Sequence, residues 1–361
     1  MVASRDPSTP LRSAQDDGGF TLEQITMMRS HWKRLRYRLE WIGLLLATKL
    51  IPLFSRRACY HLAQIAGTLL SFLDRQAYHI ALSNLEVAFG DRFSARERRK
   101  IGRESFQHFA RTMVDLLWSP RLTQQNFSRY IECENLEETV RGTGPERSLI
   151  CACYHYSNFE WLSLAGGFLD LKGTIVSQEF KNSLLDPIFN KLREQSGHEL
   201  VPRERVIIRL YKVLRQKGRT ALLADLTVPP SQGAVAIDCF GLKTSVTSAH
   251  AWLHEQTGVP IIPAHCEPLP DGRYRIIFHP RIESTAAMTH QEIAQACWNS
   301  FEPYVRKNPA PWLWMYKHWR YRPAKTDRPY PFYANFSRRF EGLLQHEPTG
   351  SLTEGNTENE D

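Results

Sequence analysis

Short apolar runs alternate along the chain with longer stretches whose apolar residues recur every three or four positions, the signature of strands alternating with helices. Residues 148–153, 173–178, 219–225, 258–266 and 273–279 read as five strands, and the Asp271-Gly272 pair between the last two is a hairpin signal. Ser94 and Glu97 form a capping box ahead of Ile101, Ser105, Phe109, Met113 and Leu116, which share one helical face. Another helix begins near Asn182. The pattern predicts an α/β fold with a mixed, mostly parallel sheet and helices on both faces. Ligands of such sheets gather outside the carboxyl ends of the strands, where His155 and Asp225 both fall.

The N-terminal region departs from this rhythm. The first 20 residues hold no apolar run, so no cleavable signal peptide is visible, and residues 1–28 are expected to be disordered. A basic run follows (Arg29, Lys33, Arg34, Arg36, Arg38), then an apolar stretch over 41–54 interrupted by Lys49 and Pro52, and a second over 58–73 behind Arg56 and Arg57. Each falls short of the roughly 20 residues that cross a bilayer as a helix. Residues 29–75 are therefore expected to form a basic-flanked helical membrane anchor in the cytoplasmic leaflet. A single span starting near Tyr37 with Lys49 snorkelling, or a buried core hairpin, are the alternatives.

The apolar content of 42% and charged content of 23% are those of a globular protein. The net charge is +8, and the tail from residue 331 carries −4, so residues 1–330 carry +12. Such a body favours anionic partners: phospholipids, phosphorylated lipids, an acidic carrier protein or nucleic acid. The seven cysteines include no Cys-x-x-Cys pair and are expected to be reduced and mostly buried. Residues 326–361 are expected to be an acidic mobile tail.

Candidate chemistry concentrates in residues 148–161. An apolar strand ends at His155, Ser157 or Asn158 caps a helix, and Glu160 falls in its first turn. A carboxylate holding one ring nitrogen of His155 would leave the other free to deprotonate a hydroxyl. Two rival chemistries exist. His250 and His254 have the i,i+4 spacing of a zinc site but lack a third ligand, and Cys153 could form an acyl-enzyme. Arg111 and Asp115 read as a solvated i,i+4 pair. The Trp- and Arg-rich residues 308–323 could form a nucleic-acid stacking surface or an interfacial belt.

His155-Tyr-Ser-Asn158-Phe-Glu160-Trp161 resembles the His-x-Gly-Asn-Trp-Glu signature of the bacterial lipid A late acyltransferases (lauroyl/myristoyl acyltransferases), within the wider lysophospholipid/glycerolipid acyltransferase superfamily. Asn84-Leu-Glu-Val-Ala-Phe89, the run from Thr257 through Arg275, and Trp312–Pro323 resemble further segments of that family, so the likeness covers residues 36–325 in order. Ser157 stands for the usual Gly. Gln178 stands where the family commonly has the arginine of Tyr-Arg-Pro, with Lys181 or Arg203 as candidate replacements, and Asp225-Leu-Thr keeps only the first acid of its motif.

The resemblance implies an acyltransferase domain over residues 76–325, on the cytoplasmic face of the cell inner membrane, acting in lipid A and lipopolysaccharide biosynthesis. It would move an acyl chain from an acyl carrier protein or coenzyme A thioester to a hydroxyl of an anionic lipid, without a metal and without nucleic acid as partner. His155 and Glu160 would be catalytic, as base and orienter. Asn158, Gln178, Lys181, Arg203 and Asp225 would bind substrate. A different lysolipid or glycolipid acceptor, or a non-catalytic membrane-bound scaffold, are the alternatives.

Overall fold

The computed structural model describes residues 22–140, 148–203, 206–231, 233–285 and 287–345, with side chains from residue 31. Of the residues 1–28 expected to be disordered, 1–21 lie outside the described residues, as does the end of the tail, while 22–28 are helical and correct that expectation.

Four helices come first: α1 (Leu22–Leu50), α2 (Arg56–Leu73), α3 (Arg75–Phe89) and α4 (Ala95–Trp118). The Ser94–Glu97 capping box opens α4 as read. The sheet then begins with β1 (Ile131–Glu134) and β2 (Leu149–Cys153), followed by α5 (Phe159–Phe168), β3 (Thr174–Ser177), α6 (Asp186–Glu194), β4 (Glu199–Pro202), α7 (Val206–Arg215) and β5 (Arg219–Leu223). A separate hairpin, β6 (Ala234–Cys239) with β7 (Leu242–Thr247), leads through α8 (Ala249–Thr257) to β8 (Ile261–Pro268), β9 (Tyr274–Phe278) and α9 (His290–Lys307).

The seven-stranded sheet has the order β1-β9-β8-β2-β5-β3-β4. Only the β8–β9 pair is antiparallel, turning at Gly272, whose φ of +87° suits glycine. β2 is central and buried along its whole length, as its unbroken apolar run requires. Its alternate residues serve two cores. Cys151 and Cys153 pack with α4, α5 and α6, while Ile150 and Ala152 pack with α7, α8 and α9. The mixed, mostly parallel sheet between helical layers is thus the architecture the pattern predicts.

The N-terminal helices are less conventional. Among the described residues, no helix is long and apolar enough to cross a membrane, so neither the expected anchor nor the alternative of a single span gains support from this. Nor is the region a buried hairpin. Trp32, Leu39, Leu46, Leu53, Ile65 and Leu73 are all more than half exposed.

Three local expectations are corrected. Arg111 and Asp115 are buried rather than solvated, because Asp115 is drawn in by Arg56 at 2.6 Å and the Tyr274 hydroxyl at 2.6 Å. Trp312, Trp314 and Trp319 are fully buried, so they form neither a stacking surface nor an interfacial belt. Asn84 holds that segment in place, its amide donating to the Trp314 and Tyr316 carbonyls at 2.8 and 2.7 Å. The expected mobile tail is ordered as far as residue 345: β10 (Tyr321–Arg322) pairs with β11 (Asn335–Phe336), and α10 (Arg338–Gln345) buries Phe340. The seven cysteines are free, and all but Cys133 are buried.

Candidate active site

β2 and β5 lie side by side and parallel, with Cys153 opposite Leu223. Two residues further along each strand, beyond the sheet's carboxyl edge, stand His155 and Asp225. The equal offset brings them face to face. Asp225 Oδ1 lies 2.8 Å from His155 Nδ1, and Oδ2 accepts the His155 backbone N–H at 3.0 Å. The Trp312 indole N–H donates to the same Oδ2 at 2.9 Å. One carboxylate therefore fixes both the backbone and the ring of His155.

Asp225 is buried, which alone would raise its pKa. The neighbouring His155, the hydrogen bond to it and the Trp312 donor outweigh burial and hold the carboxyl below its ordinary value. An ionised Asp225 accepts from Nδ1–H, which leaves Nε2 with its lone pair. No hydrogen bond to another described residue occupies Nε2, and the His155 side chain keeps 13% of its surface accessible. The Phe159 ring packs against the imidazole in a T-shaped contact with ring centroids 4.9 Å apart. The group is oriented, partly sheltered and free to take a proton.

The turn that carries His155 is held from three sides. Tyr156 bridges to Trp312, the Ser157 amide donates to the Pro311 carbonyl at 2.9 Å, and the Ser157 carbonyl accepts from Thr112 at 2.8 Å. Ser157 adopts φ +51°, the left-handed region that glycine favours. Asn158 caps α5 through Trp161 N–H at 3.0 Å and donates to Asp115 at 3.0 Å. Both its side-chain groups are thus committed to structure, and it is buried.

Glu160 does not reach His155. The first turn of α5 carries it toward α6, where Arg193 meets it with two nitrogens at 2.6 and 3.0 Å and donates with the third to Ser177 Oγ at 3.0 Å. The expected His155–Glu160 pair is replaced by His155–Asp225, and Asp225, expected as a substrate-binding residue, holds the histidine with both oxygens. The expected cationic replacements do not enter this network either. Lys181 and Arg203 are exposed, as is Gln178, while the guanidinium beside Ser177 comes from Arg193. Nothing in the helical spacing of α6 marked Arg193, since its partner is 33 residues away. Trp312 was visible as an aromatic, but its bond to Asp225 was not.

The rival chemistries lose their geometry. His254 uses Nδ1 on the Val259 carbonyl and Nε2 on Ser284, while His250 is buried. Among the described residues, no group of three His, Cys, Asp or Glu could hold a metal. Cys153 is buried against Cys151, with sulfurs 3.5 Å apart, and that contact and burial push its thiol well above the ordinary range. It is not poised as a thiolate nucleophile.

No curated protein matches the chain significantly. The family model for bacterial lipid A biosynthesis acyltransferases matches residues 26–321, a span that includes His155, Glu160, Arg193, Asp225 and Trp312. The chain belongs to the bacterial lipid A biosynthesis acyltransferase family and is an acyltransferase.

Proposed function

We propose that the protein transfers a fatty acyl chain from an acyl carrier protein or coenzyme A thioester to a hydroxyl of an anionic glycolipid, a lipid A precursor or a close relative. The observation that carries the mechanism is the two-oxygen grip of Asp225 on His155. His155 Nε2 removes the acceptor's hydroxyl proton as the oxygen attacks the thioester carbonyl. The tetrahedral intermediate then collapses, the C–S bond breaks, and the imidazolium returns the proton to the departing thiolate. Asp225 keeps Nδ1 protonated and stabilises the transient imidazolium. No metal enters these steps. General base catalysis of this kind contributes about 10²–10⁴-fold, and positioning of the two substrates supplies the remainder.

The exposed apolar side chains of α1 and α2 support a place on the cytoplasmic surface of the inner membrane, with those helices lying in the interface. The acceptor would then be met without leaving its bilayer. An acceptor other than a lipid A precursor is the second reading, favoured by the exposed Gln178 where the family has an arginine.

The test is an assay of purified protein with acyl carrier protein and coenzyme A thioesters against a lipid A precursor, followed by mass spectrometry. Acylated product from the native protein and none from His155→Ala supports the reading. Equal product from both overturns it.

A further inference from the structure

A cleft of about 720 Å³ lies between the start of α2, the middle of α4 and the β8–β9 turn. Because β8 runs parallel to β2, this turn projects beyond the same sheet edge that carries His155. Five guanidiniums line the cleft (Arg56, Arg57, Arg111, Arg129 and Arg273) against one carboxylate, Asp271. Two of the five form its floor. Arg56 is anchored on Asp115, and Arg111 is 7% exposed, donates to the Gly272 carbonyl at 2.6 Å and stacks on Tyr60 and Tyr274. Arg111 Nε is buried and has no hydrogen-bond partner, 3.8 Å from Asp115. Arg273 is held by Asp271 and Glu132. Arg57 and Arg129 are exposed at the rim, and their guanidiniums make no ion pair or hydrogen bond with another described residue. The three held guanidiniums meet three acids, Asp115, Asp271 and Glu132, so the positive charge left over is that of Arg57 and Arg129 at the rim, above a buried donor without a partner.

The apolar surroundings identify the kind of anion. His61 lines the cleft, and the residues that follow it on the same face of α2 are Ile65, Leu69 and Phe72, exposed by 60, 55 and 59%. Leu53 and Phe54, just before Arg56, are exposed by 74 and 43%. A soluble anion has no use for such a border. An amphiphile with a phosphate beside hydrocarbon chains fits both parts at once, and guanidiniums are the side chains best shaped for phosphate.

We propose that this cleft holds the phosphate of a phosphorylated lipid, with its chains along the exposed face of α2. Resting on the acyl-transfer reading above, that lipid is the acceptor whose hydroxyl meets His155. Asp115 joins the two places, since it binds Arg56 of the cleft on one oxygen and Asn158, the cap of the helix after His155, on the other.

The test is equilibrium binding of a phosphorylated acyl-disaccharide lipid and of its dephosphorylated counterpart, both in neutral detergent micelles. Four proteins are compared: native, His155→Ala, Arg57→Ala/Arg129→Ala, and Arg96→Ala/Arg99→Ala, a charge-matched control on the exposed face of α4. The expected result is a preference for the phosphorylated lipid of about tenfold or more per rim arginine engaged. It is kept in His155→Ala and in the control and lost in the rim variant, with inorganic phosphate a much weaker competitor. The same preference in the rim variant and the control overturns the site. Competition by inorganic phosphate as strong as by the lipid overturns the lipid and assigns a soluble phosphate. Loss of acyl carrier protein binding in the rim variant, with lipid binding unchanged, assigns the cleft to the carrier instead. Absent turnover with the binding preference intact rejects the acyl-transfer reading and leaves the cleft's occupant established.

Discussion

Asp225 holds His155 twice, with one carboxylate oxygen 2.8 Å from the ring Nδ1 and the other 3.0 Å from the backbone nitrogen. The double contact ties the tautomer of the imidazole to the position of the strand end that carries it. An amide in place of the acid would present an N–H to one of these donors and so favour the wrong tautomer or a displaced turn. Asp225→Asn is expected to lower kcat by about 10²-fold or more with KM changed much less. Steady-state kinetics with matched folded concentrations check this, and a kcat within severalfold of native refutes the orienting role.

Glu160 and Arg193 form a two-nitrogen ion pair that is mostly buried, with 5 and 19% of their side chains accessible. Removing one partner leaves the other charge under-solvated. Glu160→Gln is expected to destabilise the protein by about 3–5 kcal/mol, and Glu160→Gln/Arg193→Met to recover much of that loss. Denaturant unfolding of both single variants and the double variant measures the coupling. Additive losses would show that the pair is not the reason Glu160 matters.

Ser157 occupies a left-handed conformation and buries a hydroxyl with no hydrogen-bond partner. Left-handed backbone costs a non-glycine residue about 1–2 kcal/mol, and glycine returns part of that gain through its freer unfolded chain. Ser157→Gly should therefore stabilise the protein by about 0.5–1 kcal/mol, seen as a higher urea midpoint at unchanged slope. A lower midpoint would contradict the strain.

Burial lowers the pKa of His250 and of His318 from 6.5 to about 4. Both rings are neutral in the folded state, while the unfolded chain takes up protons as soon as the pH falls below about 6.5. Stability is full above that value, falls between about 6.5 and about 4, and loses nothing further from these groups below. His250→Leu should flatten the decline, because both its ring nitrogens are buried without partners. Melting temperature against pH, native beside variant, decides it.

Much of the sheet was legible because each strand's environment is written locally. The run ending at Cys153 is apolar without a break, and it became the strand buried on both faces. The β8–β9 turn was announced by Asp271-Gly272. The β6–β7 hairpin was not, since its turn is Phe240-Gly241, with Phe240 held at φ +54° by packing among the tryptophans rather than by its own preference. β1 and β4, with four residues each, are too short for a period to show.

The sequence by itself determined the alternation of strands and helices, the position of His155 at a strand end, and the capped helix that follows. Short-range patterns suffice for these, because backbone hydrogen bonds and burial faces are fixed within a few residues. Only the tertiary structure decided which acid serves His155. Glu160, five residues away, is turned aside by the helix it helps begin, and Asp225, seventy residues away, arrives through the parallel register of β2 and β5. The same holds for Arg193 and Trp312. Their roles depend on which elements lie side by side in space, and that choice is made by the packing of the whole core.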